Sequence, residues 1–361
     1  MSGLLRAPRQ LVALTGAVRA ARRVHGGGIV RTVRRARTLR RRQGFEYREA
    51  LRLGLLDPSL PDAEAAGYVS RHTNTHEQRR LNSGKDSPVL VSDKAVFSLY
   101  CEAHGLRTPQ ILAILPQGAT GWIRNGHVVA DRADWERAVA RDLPAEWVVK
   151  PVEGYGGRAV RVLTRAHGRL IDPAGVETTA GELWDAMLAD PQFDAFLVQE
   201  RLRNHRDVAA LGGHQTLHTT RIVTLLDSAG RAEVLWAGLK LGLSGTGVDN
   251  IRKGTTGNAS CPIDERDGRL GMALIPRRDG YGFECVESLP GGVRTEGVRL
   301  PHWPDAVALV LDAAPRFPPL RTLGWDVAIT PDGPAIVEAN AHWGPEESSR
   351  MGAVFERMRA A

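Results

Sequence analysis

Lysine is scarce in this chain. Of 48 basic residues only five are Lys: Lys85, Lys94, Lys150, Lys240 and Lys253. Arg is a wide planar fork, whereas Lys is a compact point charge that fits against a phosphate. Where Arg is the default cation, each Lys raises the question of what Arg could not do there; the alternative is chance scatter. Cysteine is scarce too. Cys101, Cys261 and Cys285 are odd in number and lack metal spacing, which excludes a disulfide framework and a zinc cluster. No secretory signal stands out, so a reducing cytoplasm is expected. No apolar run approaches the roughly 20 residues of a membrane-spanning helix. No repeat of 20–50 residues is visible, which argues against a solenoid or propeller.

Acid is missing from one end. Residues 1–43 hold twelve Arg and no Asp or Glu, which leaves 36 basic against 41 acidic groups elsewhere, about −5. The net charge of +7 therefore describes a mildly acidic body carrying a basic segment. Residues 1–45 are expected to be a flexible arm. They have a short apolar stripe (Leu4, Leu5, Leu11, Val12, Leu14), a helix-breaking "HGGG" at 25–28, and then "RTVRRARTLRRRQ" with Val33 and Leu39 interleaved. Such an arm suits an anionic membrane surface or nucleic acid, or else is simply disordered. No specific nucleic acid partner is expected. Residues 46–90 are read as a linker, helical at first and then loop-like through "TNTHEQRRLNSGKDSP".

The remainder is mixed α+β, expected as one domain over 91–361 with a smaller lobe at about 110–200 and a larger one at 201–361. Ser92 or Asp93 can cap a helix beginning at Lys94. Thr179 and Glu182 form a capping-box pattern ahead of another helix. In "PDAVALVLDAA", Val307, Val310, Leu311 and Ala314 fall at helical spacing. "HTTRIVTLLD" and "AEVLWAGLKLGL" read as two long strands joined by "SAGR".

Two stretches carry chemistry. In "AIVEAN" (335–340), strand alternation predicts Ile336, Glu338 and Asn340 on one face and Ala335, Val337 and Ala339 on the other. Upstream, "LGWDVAIT" alternates as well. If Thr330 and Pro334 flank a three-residue "PDG" loop, Asp326 falls directly opposite Glu338. Like charges so placed repel unless a cation bridges them. Asp, Glu and Asn oxygens are hard ligands that suit Mg²⁺; a solvated acidic face is the plainer alternative. The second stretch, "VVKPVEGYGGRAV" (148–160), places Lys150 on a strand that feeds a glycine-rich turn able to approach a phosphate. The dinucleotide fingerprint demands a helix next, but "RAVRVLT" alternates like a strand. A Walker A loop fails because Asp86 follows Gly84-Lys85. "HRD" at His205–Asp207 lacks the Asn of a protein-kinase catalytic loop, Gly212 standing in its place.

A Lys on a strand, a Gly-rich hairpin, a hinge strand and a late D…E-x-N set, in this order, resemble the ATP-grasp superfamily. They are most similar to its sugar-transfer-associated members, which are related to glutamate-ligase-like enzymes. The carrying segments, "DKAVFSLYCEAHGLRTP", "WVVKPVEGYGGRAV", "FLVQERL", "HTTRIVTLLD", "DNIRKGTTGNASCPIDERDGRLG" and "GWDVAITPDGPAIVEAN", cover roughly residues 90–350. The resemblance implies an ATP-grasp fold, two α+β lobes with antiparallel sheets clasping ATP. Lys94 and Lys150 would hold phosphates under a loop of Glu153, Gly154, Gly156 and Gly157. Gln199, Glu200 and Leu202 would form the adenine hinge, and Asp207 would reach ribose. Arg221, with Lys150, would face the transferred phosphoryl group, unless it makes a cross-strand salt bridge. Asp326, Glu338 and Asn340 would hold two Mg²⁺, or Mn²⁺ in their place. Lys240, Asn250, Arg252 and His342 are candidate substrate contacts.

The reaction so implied joins a small-molecule carboxylate to an amine through an acyl phosphate, with a product in cell-surface polysaccharide or peptide-like metabolite synthesis. Transfer of phosphate to a hydroxyl, or a nucleotide-binding scaffold without turnover, are the alternatives. The expected location is cytoplasmic, or peripheral at the inner membrane face. Many ATP-grasp ligases carry a Rossmann-like domain ahead of the ATP lobes, and residues 46–90 are too short for one.

Overall fold

A computed structural model describes residues 6–82, 89–154, 156–212, 216–243, 245, 247–251, 255–344 and 351–361. Its helices are α1 (Arg6–His25), α2 (Ile29–Gln43), α3 (Tyr47–Arg52), α4 (Asp62–Ala66), α5 (Arg71–Leu81), α6 (Val89–Ser92), α7 (Lys94–Ala103), α8 (Arg132–Arg141), α9 (Ala180–Leu188), α10 (Arg206–Gly212), α11 (Trp303–Ala313) and α12 (Gly352–Ala360).

Two antiparallel sheets form the frame. The first contains β1 (Ile111–Pro116), β2 (Gly121–Ile123), β3 (Val128–Val129), β4 (Glu146–Pro151), β5 (Arg161–Ala166), β6 (Arg169–Ile171), β7 (Glu177–Thr178) and β8 (Ala195–Glu200), in the order β3-β2-β1-β8-β4-β5-β6-β7. The second contains β9 (Thr219–Leu226), β10 (Ala232–Leu241), β11 (Ala259–Pro262), β12 (Ala273–Pro276), β13 (Phe283–Val286), β14 (Thr322–Thr330) and β15 (Gly333–Asn340), in the order β13-β12-β11-β10-β9-β14-β15.

Each sheet has its own core. Trp135, Trp147, Leu163, Leu183 and Phe196 fill the space between the first sheet and helices α8 and α9. Trp303, Val310, Phe317, Trp325 and Leu239 pack beneath the second sheet with α11 and α7. Local signals place the helices. Asp93 caps α7 by accepting from the Ala95 and Val96 amides at 2.8 Å each. Thr179 and Glu182 form a reciprocal capping box at α9. The buried face of α11 is Trp303, Ala306, Val310 and Ala313, one residue round from the face expected from spacing alone. Trp303, just ahead of the apolar run, is the largest side chain available and sets that face. The Cys101 and Cys261 thiols are each pushed up to about 12 by burial, which leaves them inert.

The described residues among the first 90 correct the expectation of an arm and a loop-like linker; Leu4 and Leu5 of the expected stripe lie outside them. The HGGG break does separate two helices, but α1 and α2 are docked. Leu14, Ala17, Val18 and Ala21 on α1, with Ala36 and Leu39 on α2, bury against Phe45, Tyr47, Leu51, Leu55 and Leu56. The apolar stripe of α1 continues through alanines beyond Leu14, which completes an i, i+3, i+4, i+7 face. In the linker, residues 73–81 are helical, within α5, and 83–88 lie outside the described residues. Helix α5 reads as a loop because its buried face is polar. Asn74 and Gln78 donate to the Trp343 carbonyl at 2.8 and 2.6 Å. Asn82 donates to the Thr322 and Ala341 carbonyls and accepts from the Arg321 and Thr322 amides. Satisfied amides thus substitute for an apolar stripe.

Truncating a docked side chain exposes the difference between a bundle and an arm. Leu39→Ala should cost about 2–5 kcal/mol of bundle stability. Amide hydrogen exchange should then accelerate in α1 and α2 while β14 keeps its rate. Unchanged exchange in α2 would mean that it is not docked.

Candidate active site

The hairpin β14–β15 pairs Asp326 with Glu338, and does so by a different route from the one expected. Thr330 pairs with Gly333, not Pro334, so the turn has two residues rather than three. A bulge then follows, since Val327 pairs with Ile336 and Asp326 with Glu338. Val337 is the extra residue, and it restores the register that the shorter turn would have shifted. The bulge also changes the faces. Ile336 and Ala339 both enter the core, whereas Val337 and Glu338 both face the space between the sheets. The expectation that Ile336 shares a face with Glu338 is corrected accordingly.

Asp326 is buried and intensely paired. Across β9, Arg221 sits opposite it and donates from Nε to Oδ1 at 2.5 Å and from Nη2 to Oδ2 at 3.1 Å. From β10, Lys240 Nζ donates to Oδ2 at 2.9 Å. Burial alone would raise the carboxyl's pKa, but Arg221 and Lys240 outweigh burial and hold it far below the ordinary range. The cross-strand salt bridge weighed for Arg221 is therefore present. Lys240 also lies 3.9 Å from Asp249, whose Oδ2 accepts from the Thr219 amide at 2.8 Å and hydroxyl at 2.6 Å. Burial pushes the Asp249 carboxyl up, against the pull of Lys240.

The facing sheet brings Lys150 on β4. It too is buried, and burial lowers its ammonium to about 8 despite the opposing pull of Glu338. Lys94, at the first turn of α7, donates to the Gly154 carbonyl at 2.9 Å and so ties the glycine-rich turn to that helix. Gly157 adopts φ 65°, and a Cβ there would meet Val248 Cγ1 at 3.2 Å, so glycine avoids both strain and crowding where the turn meets the opposite lobe.

The space between the sheets is a cleft of about 1120 Å³, part of it open to solvent. It gathers Lys94, Lys150, Gly154, Gly156, Gly157, Gln199, Glu200, Leu202, Lys240, Asn250, Asp326 and Glu338 from the candidates. It does not gather all of them. Glu153 is exposed outside the lining. Asp207 lies at the start of α10, 3.6 Å from His205 and 3.3 Å from Arg206, away from the cleft. Arg221 is not among the lining residues and meets Asp326 from beneath, and Asn340 flanks the lining, 3.4 Å from Glu338 Oε1. His342 is exposed beyond it, and Arg252 lies outside the described residues. The side chain of Gln199 is structural, donating to Ser98 Oγ and the Pro109 carbonyl. Glu200 accepts from the Gln110 amide at 3.0 Å. Thr219 and Asp249 are lining residues that the sequence reading did not single out. Asp249 opens the segment "DNIRKG", and its signal was an acid set among glycines after a long strand.

The sequence pattern of the sugar-transfer associated ATP-grasp family matches residues 72–348. The chain belongs to that family. Its two antiparallel sheets with a cleft between them are the ATP-grasp fold. Solved structures similar to this ATP-grasp chain include two from named bacteria. One is the biotin carboxylase domain of a Hydrogenobacter thermophilus 2-oxoglutarate carboxylase, at 14% identity over 75% of this chain and 46% of that one, with a TM-score of 0.39. Another is the D-alanine-D-alanine ligase of Coxiella burnetii, at 11% identity over 77% and 57%, also with a TM-score of 0.39. The chain thus spans about half the length of these structures. No curated protein matches it.

The donor set fits a divalent cation of one kind. Among the described residues no three His, Cys, Asp or Glu are gathered as a metal cage. Asp326 already accepts three N–H donors, which leaves about one of its roughly four acceptor positions. Glu338 and Asn340 supply the remaining oxygens. One or two carboxylates, with waters and phosphate oxygens completing the shell, is how Mg²⁺ is usually held.

The pairing of Asp326 has a measurable pH signature. Its folded pKa lies below the unfolded value of about 3.9, so the stability it contributes is full above about pH 4 and falls away as pH drops toward the folded value. Asp326→Asn should flatten the acid limb of a urea-unfolding profile. Lys240→Met, which leaves buried carboxylates short of a cation, should cost about 3–5 kcal/mol at pH 7. An unaltered acid limb in Asp326→Asn would remove Asp326 from this account.

Proposed function

We propose that the protein is an ATP- and Mg²⁺-dependent ligase that joins a small carboxylate to an amine through an acyl phosphate, working in the cytoplasm. The observation that carries the reading is Lys150, a buried ammonium with no direct carboxylate partner among the described residues, facing the opposed Asp326–Glu338 pair across the cleft. A buried cation without a paired anion is a site prepared for one. In this reading Lys150 and Lys94 hold ATP phosphates beneath the Gly154–Gly157 turn. The backbone of Gln199–Leu202 borders the adenine. Glu338, Asn340 and the remaining lone pair of Asp326 would hold Mg²⁺, which would supply charge neutralisation at the phosphates. Arg221 fixes Asp326 and is therefore a positioning residue.

The chemistry balances without further groups. A carboxylate oxygen attacks the γ-phosphorus and ADP departs. The neutral amine then attacks the acyl carbon, the acyl carbon–oxygen bond breaks, inorganic phosphate leaves with the bridging oxygen, and the proton lost by the amine ends on that phosphate. The chain's part is to position the reactants and stabilise developing charge. Asp249, whose carboxyl is raised by burial, lies with Thr219 beside Lys240 in the cleft lining.

Glu338→Gln keeps the shape but loses the charge, and should abolish the Mg²⁺ dependence of ATP affinity in a titration. Unchanged Mg·ATP affinity would sink the metal assignment. Lys150 titrates at about 8 in the free chain, and a bound phosphate favours its charged form. ATP binding at pH 8.5 should therefore take up protons, seen as a buffer-dependent enthalpy in calorimetry, and Lys150→Met should lose that uptake. With a heavy-oxygen carboxylate, label should appear in phosphate alongside ADP. A stable phosphoester without phosphate release would indicate transfer to a hydroxyl, and AMP with pyrophosphate would contradict both.

A further inference from the structure

The cleft leaves the most strongly charged feature of the chain unexplained. Twelve Arg and no acid lie within residues 1–43. The bundle that these residues form with α3 uses few of those charges. Arg35 donates to the Leu55 and Leu60 carbonyls and pairs with Asp62 at 3.2 Å. Arg40 pairs with Glu46 at 2.9 Å and lies over the Tyr47 ring. Arg31 and Arg22 each reach one backbone carbonyl. Arg34, Arg37, Arg41 and Arg42 are exposed, with no acidic partner among the described residues.

Helical geometry sorts these groups. On α2, Thr32, Ala36 and Leu39 are buried. Val30, Arg34, Arg37 and Arg41 follow at i, i+4, i+7 and i+11 and share the opposite face, with Arg31 and Arg42 beside them. On α1 the outward residues are Leu11, Val12, Thr15, Arg19, Arg22 and Arg23. Both outward faces therefore mix arginine with bare aliphatic side chains. Val30 is 81% exposed, Val12 71%, Leu11 62% and Ile29 53%, whereas aliphatic side chains elsewhere are mostly buried.

We propose that the outward faces of α1 and α2 are a docking surface for an anionic lipid bilayer, with the arginines on headgroup phosphates and Ile29, Val30, Leu11 and Val12 entering the headgroup–acyl boundary. The charge selects an anionic partner, and the arginine fork matches phosphate oxygens. The aliphatic residues select the bilayer over nucleic acid, because a phosphodiester backbone offers them nothing whereas a membrane interface buries them. No described helix is long and apolar enough to cross a membrane, so the association is peripheral. Because the helices are docked, the surface presents one side of the ATP-grasp body to the bilayer. The body beyond residue 43 carries about −5 and is repelled from the same surface, which favours that orientation.

The test uses the full chain and vesicles of phosphatidylcholine alone or with 30% phosphatidylglycerol. Sedimentation should show binding to the anionic vesicles only, weakened at least tenfold between 0.1 and 0.5 M NaCl. Arg34→Glu/Arg37→Glu/Arg41→Glu should lose at least tenfold in affinity, and the matching Lys triple should retain most of it. Ile29→Ser/Val30→Ser, which leaves the charge untouched, should lose several-fold. All these positions face outward, and circular dichroism should be unchanged. Equal binding to neutral vesicles, full binding by the Glu triple, or full binding by the Ser double would each overturn the proposal. So would retention on double-stranded DNA or RNA at salt where the anionic vesicles release the protein.

Discussion

The carboxylate of Asp326 is buried in the middle of a sheet, and much of the larger lobe follows from that fact. An ionised group cannot remain in such a place alone, since breaking a buried pair costs several kcal/mol. Its compensating partners come from two directions, Arg221 from β9 and Lys240 from β10, while Glu338 lies opposite on β15. Each contact requires a strand register. A slip of one residue in β9 would turn Arg221 into the core, and a missing bulge in β15 would turn Glu338 the same way. The amides of α5 act on the same hairpin from its far end, with Asn82 fixing residues 321 and 322 and Asn74 and Gln78 holding the Trp343 carbonyl. The segment before the lobes is thus part of the mounting of the site.

Lys150 and Lys240 show how burial and pairing divide two chemically identical groups. Both are buried. Burial would lower both, but Asp249 and Asp326 outweigh it at Lys240, whose ammonium is held above its ordinary range. Lys150 has no such partner in contact among the described residues. Lys94 adds repulsion, and Glu338 and Asp326 only partly offset the desolvation. One lysine is satisfied within its own lobe. The other holds unspent attraction at the interface of the two lobes, where an anion bridging them would be drawn, and this asymmetry gives the cleft a direction.

The legible parts of the sequence were those in which local chemistry and tertiary context agree. The Asp93 cap, the Thr179–Glu182 box, the Lys150 strand with its glycine turn and the Asp326–Glu338 pairing all depend on neighbours within a few residues or one hairpin. What was not legible depended on distant partners. Helix α5 looked like a loop because its buried face consists of amides whose acceptors lie some 240–270 residues away. Helix α1 looked like part of an arm because alanines complete its stripe and the docking surface for them is α3. Asp207 and Glu153 sat in suggestive sequence but point elsewhere, since nothing in a tripeptide fixes which side of a chain faces a cleft. Asp326 and Glu338 were paired through a turn one residue too long. The bulge at Val337 compensated, and no alternation pattern reveals a bulge in advance.

The scarcity of lysine acquires a physical meaning in this frame. Of the five lysines, Lys85 and Lys253 lie outside the described residues, and the other three, Lys94, Lys150 and Lys240, all line the cleft. The arginines distribute differently: the outward faces of α1 and α2 carry them, Arg221 sits beneath the lining, and Arg158 and Arg201 are the ones that border the space itself. Two properties separate the residue types. An ammonium is compact and can approach a phosphate or a buried carboxylate from one direction without clearing room for a planar fork. It can also change its protonation state within a few pH units when buried, as Lys150 does at about 8, whereas a guanidinium stays charged. Among the described residues, Lys is confined to the narrow space between the two sheets, whereas Arg supplies the outward charge of α1 and α2 and the fork that fixes Asp326.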